Sequence, residues 1–134
     1  MSQPIHVSGK RKRAVARAVV RAGKGDVRIN RVPLDVVEPK LFRLKLREPL
    51  MLAGDAAHKV DIDVNVSGGG ISSQADASRL AIAKALVAFT KNEKLKEAYL
   101  NYDRSLLVAD VRRKESAKPN RHGQARAKRQ KSYR

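Results

Sequence analysis

The sequence predicts a mixed α+β body over residues 1–111 and an extended basic tail over residues 112–134. Three observations point there. Val60-Asp61-Ile62-Asp63-Val64-Asn65-Val66 alternates apolar and polar residues with the period of a half-buried strand. Ser73 to Lys91 has helical periodicity, with Ile82, Ala83, Leu86 and Phe89 forming a stripe suited to burial. After Val111 the only hydrophobic residues are Ala117, Ala125, Ala127 and Tyr133. So apolar-poor a segment cannot offset its own ordering entropy, and the tail is expected to be disordered alone and ordered when bound. Its 23 residues reach roughly 75 Å when fully extended.

The other elements follow along the chain. Ile5 to Ser8 reads as a short edge strand. Gly9 to Ala22 fits two patterns. As a strand it puts Ala14, Ala16, Ala18, Val20 and Ala22 on one face and Arg17 and Arg21 on the other. As a helix it carries an Arg13-Arg17-Arg21 stripe. The valines and the turn that follows favour the strand. Gly23-Lys24-Gly25-Asp26 reads as a hairpin turn and Val27 to Asn30 as its partner strand. Two short helices are expected between Asp35 and Gly54, starting near Pro39 and Pro49, with Leu41, Leu44, Leu50 and Met51 in the core. Gly68-Gly69-Gly70 punctuates the chain, and Ser73-Gln74-Ala75-Asp76 matches a capping box for the long helix. A short helix over Glu93 to Leu100 and a last strand at Leu106 to Ala109 complete the body.

Charge sits at the two ends. Residues 1–31 hold nine Lys/Arg and one acid, residues 32–111 eleven of each sign, and residues 112–134 ten Lys/Arg and one acid, Glu115. The net charge is +17. A neutral middle can pack a core, whereas such ends repel themselves until a polyanion neutralises them, so nucleic acid is the leading partner. Aromatic residues are 4% of the chain and Trp is absent, which argues against recognition by many stacked bases. The absence of Cys excludes disulfides, thiolate metal sites and cysteine nucleophiles. No apolar run nears the ~18 residues of a membrane span, and no secretory signal opens the chain. The basic ends lack the bulky apolar residues of a membrane-surface helix. A soluble intracellular protein without a membrane partner is expected.

Catalytic readings are weaker. His6, His58 and His122 stand apart with no acid or nucleophile at a diagnostic spacing, and read as polar surface, with His122 able to touch phosphate. Asp61 and Asp63 share a strand face, which reads as solvated, paired with lysines such as Lys59. Gly68 to Ser73 at a helix start is the most enzyme-like feature. It is similar to the glycine-serine phosphate loop of small-molecule kinases of the galactokinase and homoserine kinase type, and glycines there let backbone N–H groups approach a phosphate. No lysine or acid set for Mg²⁺ and nucleotide lies beside it, so a structural turn able to touch an RNA phosphate is favoured over a phosphotransferase site. A DNA-compacting basic protein is a third reading, although no helix-turn-helix, zinc or basic-zipper pattern is present.

Together the motifs resemble one family. Gly9-Lys10-Arg11-Lys12-Arg13-Ala14-Val15-Ala16-Arg17 resembles the opening basic strand of the ninth small-subunit ribosomal protein. Gly68 to Leu86 resembles its glycine turn and long helix, and Asp110 to Ser116 with Gln130-Lys131-Ser132-Tyr133-Arg134 its tail. Bacterial members end Ser-Lys-Arg; the Ser132-Tyr133-Arg134 ending departs from them and the stretch Asp103 to Asp110 is closer to archaeal and eukaryotic members, with the short N-terminus favouring the archaeal branch.

The resemblance implies a two-layer α+β sandwich like the second domain of small-subunit ribosomal protein five, with a left-handed βαβ crossover. It implies a structural protein of the subunit head, in the cytoplasm, with no enzymatic activity, cofactor, metal or homo-oligomer. The partners would be rRNA of the 3′ major domain, neighbouring head proteins and the peptidyl-site tRNA. The rRNA contacts implied are Lys10, Arg11, Lys12, Arg13, Arg17 and Arg21 at the N-terminal end, Gly68, Gly69 and Gly70 at the turn, and Arg112, Arg113, Lys114, Lys118, Arg121, His122, Arg126, Lys128 and Arg129 along the tail. Lys131, Ser132, Tyr133 and Arg134 would contact the tRNA.

Overall fold

In the computed structural model, which describes residues 3–126, Ala14, Ala16, Ala18 and Val20 are buried while Arg17 and Arg21 are exposed. The strand reading of the Gly9–Ala22 run therefore holds, but the run is not one element. A two-residue turn splits it at Lys12 and Arg13, with Lys12 at φ 53°. The halves pair antiparallel as β1 (Ile5–Arg11) and β2 (Ala14–Ala22), with Arg11 opposite Ala14. With β3 (Val27–Ile29), β4 (Val32–Pro33) and β5 (Val60–Ser67) they form a five-stranded sheet of order β1-β2-β5-β3-β4. The β3–β5 pair is parallel; the others are antiparallel.

The expected hairpin at Gly23–Asp26 does not form, because β5 lies between β2 and β3. The segment is instead a loop clasped by the first turn of β5. The Asp61 carboxylate accepts backbone N–H bonds from Lys24, Gly25 and Asp26 at 2.9, 3.2 and 3.0 Å. Gly23 N–H donates to the Lys59 carbonyl and Ile62 N–H to that of Asp26, both at 2.9 Å. Asp61 thus serves the loop's orphan donors, where a pairing with Lys59 was expected. Bonds from Lys24, then Asp26 and Gly25, with the nearby Arg28 charge, hold its carboxyl below the ordinary range. A depressed carboxylate stabilises the fold above its unfolded pKa, and that share is lost as pH falls through the folded value. Asp61→Asn is therefore expected to lower stability by about 1 kcal/mol at neutral pH and to flatten the acid limb below about pH 4, read from urea unfolding across pH.

Of the three helices, the longest packs on one face of the sheet, and the other two pack against it. The expected pair before Gly54 is a single helix, α1 (Lys40–Ala53), with Pro39 at its N-cap and Pro49 inside it. One unbroken helix keeps one phase, so Phe42, Leu46 and Pro49 face the core. Leu41, Leu44 and Met51, expected inside, are exposed, and Leu50 is half-buried. The Pro49 carbonyl accepts the buried Tyr99 hydroxyl at 2.7 Å, and burial pushes that phenol's pKa well up.

α2 (Ile71–Thr90) starts two residues before Ser73, with Gly70 as N-cap and no side-chain cap bond. The capping box is therefore not made: Ser73 lies inside the first turn, and Asp76 accepts from Lys45 Nζ at 3.2 Å. Ile82, Ala83 and Leu86 are buried as expected, and Phe89 is half-buried against the core. α3 (Glu93–Tyr102) follows, with the Asn92 side chain accepting from Lys94 N–H at 3.0 Å. Leu106 to Ala109 is not a strand; a short 3₁₀ turn, Arg104–Leu106, buries Leu106, and no regular element follows it among the described residues.

The result is two layers. Sheet positions Ala14, Ala16, Ala18, Val20, Ile62 and Val64 are buried under the helices. Positions Arg17, Arg21, Arg28, Asp63 and Asn65 on the other face are exposed.

Candidate nucleic-acid interface

A groove of about 970 Å³ opens where three distant segments meet. The β1–β2 turn supplies Lys12 and Arg13, the start of α2 supplies Gly69, Gly70 and Ser73, and the tail supplies Arg112 to Ala117.

Local backbone demands explain the meeting. Gly68 and Gly69 take φ 79° and 64°, a left-handed conformation that costs glycine little. A Cβ on Gly68 would lie 2.5 Å from the Arg13 carbonyl oxygen, and one on Gly69 would lie 3.1 Å from the Ala14 nitrogen. These glycines let the β5–α2 connection pass directly against the main chain of the basic turn. The N-terminal end of α2, the positive end of its dipole, then opens into the groove beside the two cations.

The root of the tail is tied to the same corner. Asp110 pairs with Arg11 and with Arg112, the latter at 3.0 Å. Arg113 donates from Nη1 to the Lys12 carbonyl. Further out, residues 112–126 contain no helix or strand but close a loop on themselves. Lys118 N–H donates to the Gln124 carbonyl at 3.1 Å and Gln124 N–H to that of Arg121 at 3.0 Å. Glu115 and Arg126 pair across the base at 3.0 Å, and the guanidinium holds the Glu115 carboxyl below its ordinary range.

The residues implied for rRNA contact are thus distributed over several places. Lys12, Arg13, Gly69, Gly70, Arg112, Arg113 and Lys114 line the groove, with Gly68 shaping it. Lys10 is exposed nearby, while the Arg11 side chain is 19% exposed and held between Asp110 and Asp76. Its charge is used within the protein. Arg17 and Arg21 lie on the open face of the sheet, outside the groove. Lys118, Arg121, His122 and Arg126 belong to the closed loop, with His122 exposed. Lys128, Arg129, Lys131, Ser132, Tyr133 and Arg134 lie outside the described residues. Sequence reasoning missed Asp110 and Glu115. Glu115 is the lone acid among residues 112–134, and that isolation was the available signal for it; Asp110 closes the charge-balanced segment and carries no such signal. His6 and His58 are exposed and apart. Among the described residues, no group of three or more His, Asp or Glu could hold a metal, and no helix is long and apolar enough to cross a membrane.

Cations gathered at one groove and along a tail, on a one-sided α+β body, define a polyanion-binding protein. The comparisons with known proteins make the class specific. The family model described as ribosomal protein S9/S16 matches residues 9–134, and the chain belongs to that family. It is 53% identical over 131 residues to the small ribosomal subunit protein uS9 of Methanococcus maripaludis strain C7, covering 97% of this chain and 98% of that protein. Against the uS9 protein of Methanococcus vannielii the identity is 50% with the same coverage. These relatives are archaeal, the branch expected from the sequence. Membership of a ribosomal protein family removes the phosphotransferase and DNA-compacting readings.

Proposed function

We propose that this chain is a structural constituent of the small ribosomal subunit, working in the cytoplasmic ribosome. Its groove and tail bind rRNA of the subunit head, in the 3′ major domain, beside neighbouring head proteins, and the end of the tail reaches the peptidyl-site tRNA. The observation that carries this reading is the convergence of the Lys12–Arg13 turn, the start of α2 and the root of a tail bearing ten Lys/Arg. Backbone phosphates entering there would meet forked guanidinium donors and a helix N-terminus together. The body (1–111) holds the fold, and the tail (112–134) takes its final path on RNA. The parallel β3–β5 pair joined through α1 fits a βαβ crossover of the kind expected from the second domain of small-subunit ribosomal protein five, left-handed in that fold.

Binding to small-subunit rRNA should weaken steeply with salt, by roughly 0.7–0.9 in log–log slope for each phosphate contact. A flat salt dependence would overturn the reading. In the same preparation, deleting Lys131 to Arg134 should leave subunit assembly intact and weaken tRNA binding in the peptidyl site. Lost assembly with normal tRNA binding would reverse the division of labour between body and tail.

A further inference from the structure

The helices cover one face of the sheet and leave the other bare. On the bare face lies a shallow groove of about 340 Å³ lined by Val19, Arg21, Arg28, Arg31, Asp63 and Asn65, with Val64 at its floor. Register builds it: Val19 on β2 stands opposite Asp63 on β5, and Asp63 stands beside Arg28 on β3. The face therefore carries Arg21, Arg28 and Arg31 against Asp63 and against Asp61, whose carboxylate is already taken up by the backbone N–H groups of Lys24, Gly25 and Asp26. Arg21 and Asp63 approach only to 3.9 Å, with both side chains more than half exposed. Arg28 and Arg31 make no ion pair or side-chain hydrogen bond among the described residues.

Arg31 is placed there at a conformational cost. β3 and β4 are joined by the two-residue turn Asn30-Arg31, with φ 49° and 69°. Two-residue hairpins with both residues left-handed favour Asn then Gly, because a Cβ is disfavoured at positive φ. Asn30 fits this rule and is locked in place. Its N–H donates to the Val64 carbonyl at 2.7 Å, its Nδ2 to that of Val66 at 3.2 Å, and its Oδ1 accepts Val66 N–H at 2.9 Å. Arg31 stands where glycine would cost less. A strained backbone holding a cation that has no partner in the fold points to a partner outside it.

We propose that this open sheet face is a second RNA-backbone surface, centred on Arg28 and Arg31, so that the body contacts RNA on two sides. The proposal rests on the rRNA reading above and extends it to residues that reading does not use. From Val15, at the end of β2 beside the Lys12–Arg13 turn, to Arg21 is about 20 Å of strand, so the two surfaces are separate. The charge balance of the face selects a polyanion. The planar, forked donors of arginine suit phosphate, and Asn65 offers a hydrogen-bonding group to a 2′-hydroxyl. A protein partner would need an apolar centre, and here the apolar residues are half-buried Val19 and, at the edge beside Arg28, Pro33, among otherwise polar exposed side chains.

The test uses the full chain and small-subunit rRNA. Arg31→Gly should raise the melting temperature of the free protein by a few degrees, since it relieves the left-handed Cβ. It should also lower the log–log salt slope of rRNA binding by about 1, and Arg28→Gln should do the same without stabilising the fold. Lys114→Gln, in the tail groove, serves as the independent comparison. Wild-type slopes for both arginine variants, with a reduced slope for Lys114→Gln, would overturn this proposal and leave the rRNA reading standing. A salt-insensitive wild type would sink both. Because the chain has no cysteine, Arg31→Cys gives a single attachment point for a photocrosslinker. In reconstituted subunits it should capture rRNA, and capture of protein alone would overturn the assignment.

Discussion

Gly9→Ala is expected to destabilise the protein by about 3 kcal/mol, the largest single-site effect on the body, read as a fall in the urea midpoint with an unchanged slope. Gly9 lies in β1 opposite Ala16, directly beneath α2. A Cβ there would run into the Ala77 carbonyl oxygen, would lie 2.9 Å from the Ala81 nitrogen, and would press on Leu80 Cβ at 3.2 Å. Two of those atoms are helix main chain and cannot rotate away. The contact is this close because both layers present small residues: Gly9, Ala14, Ala16 and Ala18 on the sheet, and Ala75, Ala77, Ala81 and Ala85 on the helix. A chain nearly without aromatics fills its core by bringing backbones together, so it tolerates little added volume at that seam. Gly70→Ala is the control. Nothing lies within 4 Å of its added Cβ and its φ of −100° suits any residue, so a change within about 0.5 kcal/mol is expected. Equal losses at both positions would contradict the packing argument.

The same seam explains what could be read from the sequence and what could not. The alternation of Val60 to Val66 was legible because β5 is central and one of its faces is bare, so every second residue is polar. The face of β2 was legible for the same reason. Strand pairing was not. Nothing local in Gly23 to Asp26 distinguishes a hairpin turn from a loop whose donors are collected by Asp61, 35 to 37 residues later. α1 was misphased at Pro49. A proline inside a helix is disfavoured locally, and here tertiary packing on its buried ring outweighs that. The start of α2 was placed too late because Ser73-Gln74-Ala75-Asp76 satisfies a local rule, whereas the actual start is set by how close Gly68 and Gly69 bring the chain to Arg13 and Ala14. Of the site, the charge asymmetry was plain in one dimension, and it correctly put the cations at the two ends. That those ends meet at one groove is a tertiary fact. It depends on contacts between Arg11 and Asp110, and between Lys12 and Arg113, that lie about a hundred residues apart. Arg28 and Arg31 were passed over because one arginine on a three-residue strand and one in the turn after it form no charge run.

Arg79→Ala is expected to cost about 2 kcal/mol, for a reason equally invisible in sequence. The Arg79 side chain, 11% exposed, leaves α2 to join two other parts of the helical layer. It donates from Nε and Nη2 to Glu48 on α1 at 2.9 and 2.5 Å, from Nη2 to Asp103 and from Nη1 to Ser105 beyond α3, each at 3.2 Å. Removing a fully buried partner costs about 3–5 kcal/mol, but Glu48 and Asp103 keep roughly two-fifths of their side-chain surface in water, which recovers part of that loss. The carboxylates left behind would repel each other, so Arg79→Ala with Glu48→Ala should cost less than the two changes summed. Arg79→Met, which keeps an unbranched apolar stem, should recover stability relative to alanine if packing of the stem contributes. Acid titration separates the electrostatic share. The Asp103 carboxyl is held below the ordinary range by bonds from the Ser105 backbone and hydroxyl and then by Arg79. Its contribution is present at neutral pH and lost as pH falls through the folded value. In Arg79→Ala the arginine's part of that acid-dependent loss should vanish while the Ser105 part persists, so the variant's deficit relative to wild type narrows below about pH 4. A deficit constant from neutral to acidic pH would mean that Arg79 acts by packing alone.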